Sequence, residues 1–312
     1  MIPVTFDNII FSIQQYGGIS VVWSELLRRA RKDKDLAITE LDYKNQLPYR
    51  TMERYRLPDW KPTQPTLFHS SYFRICPDPL VTNITTVHDL TYHFYRHGLA
   101  KLVHLWEEQR ALKHSKVVVC VSENTKRDLL QCYPWLKEEQ AKVVYNGVGD
   151  EFSPIPSVEK KGYLLYVGNR TVEYKRYDVA QRVAQLTGLE LVTAGSADIT
   201  REQLNTMYNE ALCLLYPSDY EGFGIPILEA QKAGCPVIAQ DTSSVPEVIG
   251  PNGLMVKHDS PERVAEAMAD IVKQLQSRST QDIIEKGLEN AKRFSWDKTY
   301  EQMKQIYSLL AL

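Results

Sequence analysis

Short β-branched and apolar runs alternate along the chain with longer segments whose apolar positions recur every three or four residues. That alternation predicts parallel βα units, each strand returning through a helix laid on the sheet. In the first half the strand-like runs are 4–11, 37–43, 66–69, 83–87, 116–121 and 142–145. Helical spacing covers 20–31, 99–113 and 123–132, with Ser122 placed to cap the last. Residues 46–65, rich in proline, arginine and tyrosine, show no clear period and read as an irregular excursion. The pattern breaks again at 146–162, NGVGDEFSPIPSVEKKG, which reads as a linker. A second set of strands follows at 163–167, 190–193, 211–216, 236–239 and 254–256, with helices between them. Helices at 260–276 and 281–292 close that set, and 296–310 carries apolar residues at helical spacing. The expectation is an α/β protein of two Rossmann-like domains, 1–153 and 154–295, followed by a terminal helix in 296–312. Doubly wound domains bind ligands at the carboxyl ends of their strands, so the site is expected in a cleft between the two.

The most informative stretch is 216–249, YPSDYEGFGIPILEAQKAGCPVIAQDTSSVPEVI. It ends an apolar strand, crosses a glycine-punctuated turn and starts a helix at Pro226. Unpaired N–H groups and the helix dipole at such a start favour an anion. Proline suits the first helical turn, and Gly222 and Gly224 let the backbone approach a ligand closely. Glu221 then lies beside the anion site and Glu229 one turn into the helix. Carboxylates there accept hydrogen bonds from hydroxyls while the backbone holds a phosphate, which suits a sugar joined to a nucleotide.

Other segments carry weaker chemistry. Gln15-Tyr16-Gly17-Gly18-Ile19-Ser20 puts two adjacent glycines before a helix, leaving backbone free to approach a phosphate or sugar. It is not the G-x-G-x-x-G dinucleotide fingerprint. Gly168-Asn169-Arg170, with Lys175 beyond it, follows the first strand of the second domain. A planar guanidinium and a point-charge ammonium suit a diphosphate, and Arg176 competes with Lys175 for that part. His88-Asp89 ends a strand, so the imidazole is expected to point into the cleft with Asp89 orienting or charging it. His69 is a lesser candidate of the same kind. Asp33-Lys34-Asp35 sits in a charged run and reads as a solvated face, and His88, His93 and His97 are spaced wrongly for one helix face, so no metal site is expected.

The spacing from Glu221 through Gly222, Phe223, Gly224, Ile225 and Pro226 to Glu229 resembles the E-x7-E motif of retaining GT-B glycosyltransferases, in particular family 4. The Gly17-Gly18 loop, the Gly168…Arg170…Lys175 run and the Val87-His88-Asp89 step resemble that family's other elements, so the likeness spans nearly the whole chain. Asn169 between glycine and arginine, and Arg176 after the lysine, depart from its pattern. The resemblance implies that Glu221 contacts the donor hexose and Glu229 the ribose, while the intervening amides, Arg170, Lys175 and the Gly17-Gly18 loop hold the diphosphate. It places His88 near donor sugar and acceptor, and the nucleotide base beside Ala194-Gly195-Ser196. It also implies a terminal helix that crosses back to the first domain, and transfer with retention and without a metal cofactor. The departing phosphate would then deprotonate the incoming hydroxyl. A glycosidase pair, with carboxyls ~5 Å apart, is set aside because these glutamates bracket a phosphate site. Runs such as FDNIIFSIQQYGGIS and TVHDLTYHFY resemble bacterial mannosyltransferases of polysaccharide assembly. GDP-mannose is the first donor expected, with UDP-hexose or dTDP-rhamnose open, and a glycan or lipid-linked acceptor. A non-catalytic sugar-nucleotide-binding subunit of a glycan synthase complex is the alternative.

Composition adds bounds. The 312 residues suit two domains of roughly 150 each. A net charge of -2 gives no nucleic-acid signal. Met1 leads almost at once into VTFDNIIF, so no secretory leader is expected, and no apolar run approaches the ~18 residues of a membrane span. Five unpaired-looking cysteines (Cys76, Cys120, Cys132, Cys213, Cys235) fit buried thiols in a reducing cytoplasm. Arg28, Arg29, Arg31, Lys32 and Lys34 form a basic run, a candidate for peripheral contact with the inner membrane beside the plainer reading of a charged helix end.

Overall fold

The computed structural model of the chain describes residues 1–14, 17–43, 54–195 and 199–311. It divides into two compact units, Met1–Gly147 with Trp296–Leu312, and Val148–Ser295. Gln15, Tyr16, Ser196 and residues 46–53 of the irregular excursion lie outside the described residues.

In the first unit the elements run β1 (Ile2–Asp7), α1 (Ile10–Ile13), α2 (Gly18–Ala30), β2 (Leu36–Leu41), β3 (Thr66–Ser70), β4 (Val81–Val87), α3 (Thr91–Tyr95), α4 (Gly98–His114), β5 (Ser115–Cys120), α5 (Glu123–Cys132) and β6 (Ala141–Val143). Among the described residues the strands form one parallel sheet in the order β2-β1-β3-β4-β5-β6. The expected first strand, 4–11, ends early at Asp7. Asp7 and Asn8 break the alternation, and the apolar residues beyond them turn into α1, where the Ile10 amide donates to Ser71 Oγ. Ser122 caps α5 as expected, its hydroxyl accepting from the Thr125 amide at 2.9 Å.

The second unit runs β7 (Leu164–Val167), α6 (Tyr177–Thr187), β8 (Leu191–Ala194), α7 (Arg201–Glu210), β9 (Cys213–Tyr216), α8 (Ile225–Lys232), β10 (Val237–Gln240), α9 (Val245–Ile249), β11 (Leu254–Val256), α10 (Pro261–Ser277) and α11 (Gln281–Ala291). Its strands are also parallel, in the order β11-β10-β9-β7-β8. Leu164, Tyr166, Leu215 and Ile238 of the sheet pack against Val179 and Val183 of α6 and Val264, Met268 and Val272 of α10. The unit begins at Val148 rather than at 154, because Phe152 is buried against Tyr208 and the Ser153 and Ile155 amides donate to Asn205 and Asn209 of α7.

The last helix, α12 (Trp296–Leu310), belongs to the first unit, as the terminal helix of the GT-B pattern does. Tyr300, Met303, Ile306 and Tyr307 join Phe6, Trp23 and Leu27 in its core. Asp33, read as part of a solvated face, instead clamps this helix, accepting from Lys304 Nζ at 2.8 Å and from Tyr300, while Asp35 stays exposed and meets the same Nζ at 2.7 Å. Three cations of the basic run at the end of α2 are similarly spent within the chain, Arg28 on Glu25, Arg29 on Glu25 and Asp297, and Arg31 on Glu40, while Lys32 and Lys34 are exposed.

Both sheets share one order around their first strand. In each, the first and third strands are neighbours and their connections leave to opposite sides, which opens a crevice at their carboxyl ends. In the second unit that point lies between the ends of β7 and β9.

Candidate active site

At the end of β7 the chain leaves through Gly168, Asn169 and Arg170. Asn169 Oδ1 accepts from the Thr171 amide and hydroxyl, closing a tight turn. Glu173–Lys175 then form one 3-10 turn, and Arg176 takes a left-handed conformation (φ 52°) that starts α6. This single reversal sends two adjacent cations in different directions. Lys175 Nζ donates to both carboxylate oxygens of Glu221 at 2.7 Å each. Arg176 instead meets Asp178 at 2.7 Å and Asp219 at 3.6 Å, so the two cations do not share a partner here. The loops are tied through backbone as well, the Asp219 amide donating to the Tyr174 carbonyl at 2.8 Å. Arg170 is exposed, its guanidinium 5.9 Å from the Tyr177 ring centroid.

The turn after β9 is braced from a side the sequence reading missed. The Glu221 amide donates to Ser243 Oγ at 2.8 Å, and Ser244 Oγ donates to the carbonyls of Glu221 and Phe223 at 2.9 Å. Ser243 is itself left-handed (φ 47°). The signal available was the run Thr242-Ser243-Ser244 ahead of Pro246, hydroxyls crowded at a strand end in the adjacent crossover. Phe223 is buried against Phe294, and Gly222 leads into Gly224, the left-handed cap (φ 105°) of α8. Ile225 and Pro226 are the first two residues of that helix.

Gly224→Ala is expected to lose roughly 1–2 kcal/mol of stability, because an L side chain is strained in that conformation and its Cβ would lie 3.2 Å from Ile227 Cδ1. Gly18→Ala, whose Cβ meets nothing within 4 Å, is expected to be near neutral. Equal urea midpoints for the two variants would remove the strain argument.

Glu229, one turn into α8, is buried and faces away from Lys175's pair, toward α7: Tyr208 donates to it at 3.2 Å and Arg201 lies at 3.5 Å. Burial pushes its carboxyl up, against the lowering effect of Arg201 and the Tyr208 hydroxyl. Arg201 also pairs with Glu151 and lies 5.0 Å over the Phe152 ring. Ala194-Gly195 ends β8; a Cβ at Gly195 would come within 2.5 Å of the Gly168 carbonyl, so the two strand-end loops are in backbone contact there.

In the first unit, His88 follows β4 and lines a cavity of about 90 Å³ with Ile19, Ser71, Tyr72, Asp89 and Tyr92. Burial lowers its pKa to about 4, so the imidazole is neutral near pH 7, against a raising effect from Asp89. Of the two roles expected of Asp89, its charge does favour the protonated imidazole, while its Oδ1 accepts from the Thr91 amide and hydroxyl, fixing the start of α3. His69 has both ring nitrogens bonded, to Tyr307 at 2.8 Å and Thr86 at 2.9 Å, which makes it a core residue. Gly17 and Gly18 open α2. Among the described residues, no three His, Cys, Asp or Glu side chains gather to hold a metal ion.

The family described as Glycosyltransferase Family 4 matches residues 16–152, and that described as Glycosyl transferases group 1 matches residues 194–290. The chain is 42% identical over 110 residues to O-antigen chain mannosyltransferase B of Escherichia coli, covering 35% of this chain and 28% of that protein. It is 29% identical over 220 residues to O-antigen chain mannosyltransferase RfbU of Salmonella typhimurium, covering 62% of each. Each match spans less than two thirds of the relative's length. Sucrose-phosphate synthase from Thermosynechococcus elongatus has a similar fold, with a TM-score of 0.75 over 99% of both chains at 16% identity.

Proposed function

We propose that this chain, which belongs to the family 4 glycosyltransferases of GT-B fold, transfers mannose from GDP-mannose to a hydroxyl of a glycan or lipid-linked acceptor in bacterial glycan assembly. The reading is carried by the Lys175–Glu221 pair at the crevice between β7 and β9, beside the N-terminus of α8. The two relatives named as O-antigen chain mannosyltransferases support the sugar and the setting.

In the proposed reaction the donor diphosphate lies at the start of α8, along the amides from Gly222 to Ile225, with Arg170 adding positive potential. Its charge competes with Glu221 for Lys175. Glu221, released, accepts hydrogen bonds from the hexose hydroxyls, and Glu229 from the ribose. Leaving-group departure is the hard step, since negative charge grows on the diphosphate, and fixed donors aimed at it stabilise that charge by about 3–4 kcal/mol each. The departing phosphate takes the proton of the incoming hydroxyl on the same face, so the anomeric configuration is retained and no divalent metal is required. His88, neutral, serves as a hydrogen-bonding partner for the acceptor. The enzyme would work at the cytoplasmic face of the inner membrane.

A thermal-shift panel with GDP, UDP, ADP and dTDP, with and without magnesium, tests the reading. A ligand at ~100 times its dissociation constant adds about 2.7 kcal/mol to the folded state. The expected result is a selective shift with GDP, unchanged by magnesium. A shift with UDP or dTDP reassigns the donor, and magnesium dependence overturns the metal-free step. No shift with any nucleotide removes the phosphate-site reading. GDP binding without donor turnover moves the chain to a non-catalytic subunit of a synthase complex.

A further inference from the structure

Helix α4 is folded with its sides reversed. Its inward stripe is His104, Glu107, Glu108, Ala111 and Leu112, at the three- and four-residue spacing of one helix face. Its outward stripe, at the same spacing, is Leu99, Leu102, Val103 and Trp106, which are 79%, 63%, 37% and 52% exposed. An amphipathic helix normally buries the apolar stripe. Here the carboxylates go inward because the partners are there. Glu108 accepts from Tyr133 and pairs with His93, both at 2.7 Å, and Glu107 pairs with Arg54 at 3.1 Å.

Inward carboxylates leave the outer face with one sign of charge. From 91 to 114 the acidic residues are Glu107 and Glu108, both fully buried. Of the cations of the same segment, Arg96 and Lys113 stay at the surface beside the apolar stripe, whereas Lys101 Nζ donates to the His93 carbonyl at 2.6 Å and Arg110 Nε and Nη2 are buried. The Arg110 guanidinium lies 4.6 Å over the Trp106 ring. Lys113 Nζ lies 5.6 Å from the ring of Trp135, itself exposed.

We propose that this face of α4 docks on a membrane leaflet containing anionic lipid. Leu99, Leu102, Val103 and Trp106 would enter the boundary between headgroups and acyl chains, with Arg96 and Lys113 reaching lipid phosphates. Apolar and indole side chains flanked by long cationic ones match that boundary, where one end is dry and the other wet. A second copy is a poor occupant. A two-fold contact would set this cationic face against itself, with no exposed carboxylate in the segment to pair it. The arginines at the end of α2, by contrast, are already paired within the chain.

The inference deepens the membrane part of the proposed function, and its test uses neither donor nor acceptor, so the two can fail separately. The full chain is sedimented with phosphatidylcholine vesicles with and without phosphatidylglycerol. Binding is expected only with the anionic lipid, and it weakens as salt rises. Leu102→Glu with Trp106→Glu is expected to lower partitioning at least about tenfold. Arg96→Gln with Lys113→Gln should weaken binding to the anionic vesicles. Unchanged circular dichroism and melting keep either loss from being a folding defect. Trp106→Phe should remove part of the blue shift in tryptophan emission on binding. Equal binding to neutral vesicles, or full binding by the glutamate variant, overturns the proposal. So does a dimer in solution that the same substitutions dissociate, or capture by polyglutamate where anionic vesicles fail.

Discussion

Glu221→Ala is expected to cut glycosyl transfer by about a thousandfold, roughly 4 kcal/mol of barrier, while binding of the bare nucleoside diphosphate is kept or strengthened. The reason is the ion pair. Glu221 holds both of its oxygens on Lys175 Nζ at 2.7 Å, in a place where Glu221 is nearly buried and Lys175 only partly exposed. Removing the carboxylate takes away that bidentate competitor for an incoming phosphate, yet deletes the group that would hold the hexose. Lys175→Ala is the mirror experiment. It leaves Glu221 as an unpaired negative charge beside the diphosphate position, so nucleotide binding should fall along with transfer. Isothermal titration with the nucleoside diphosphate, run beside a transfer assay, separates the two. Parallel loss of binding in both variants, or wild-type turnover in Glu221→Ala, would sink this assignment of roles.

A second large effect is expected in acid. Burial lowers the pKa of His69 to about 3 and those of His88 and His104 to about 4, from an ordinary value near 6.5. A depressed histidine is neutral in the fold and charges on unfolding. Its stabilisation is present above pH 6.5 and is lost as pH falls through the folded value. Each shift corresponds to roughly 3–5 kcal/mol as an upper bound, so the three together rival the whole stability of a typical domain. Glu107 acts in the opposite sense. Burial raises it to about 7, so its contribution is present below pH 4.5 and lost as pH rises through 7, which softens the acid limb. The net expectation is a steep fall in the urea midpoint between pH 6.5 and 4. His104→Phe, which keeps a ring stacked on Tyr92 while losing the Tyr72 contact, should flatten that fall. Equal midpoints at pH 7.5 and 4.5 would mean the histidines are not buried neutral.

Much of the site was legible because it is local. The turn from Glu221 to Pro226, the glycine that must be left-handed at 224, and the cation-bearing turn after β7 are each written within a few residues. Ser243 and Ser244 were not legible as site residues, since their role comes from a crossover that lies beside the Glu221 turn only once β9 and β10 are paired. Only the electrostatic half of the Asp89 reading was legible: nothing in the step His88-Asp89 says that the carboxylate will turn to Thr91.

The sequence alone determined the number and kind of most elements, the capping of α5 by Ser122 and the likeness to family 4, because periods, caps and turn residues act over a few positions. Tertiary structure decided which way charged side chains face. Lys175 went to Glu221 and Arg176 to Asp219 through one left-handed residue. The first strand stopped at Asp7, and the α2 arginines found Glu25, Glu40 and Asp297. Glu107 and Glu108 turned inward, to Arg54, His93 and Tyr133, which left the apolar stripe of α4 in solvent. A buried charge goes where its partner is, and those partners come from distant parts of the chain, so no local pattern could place them.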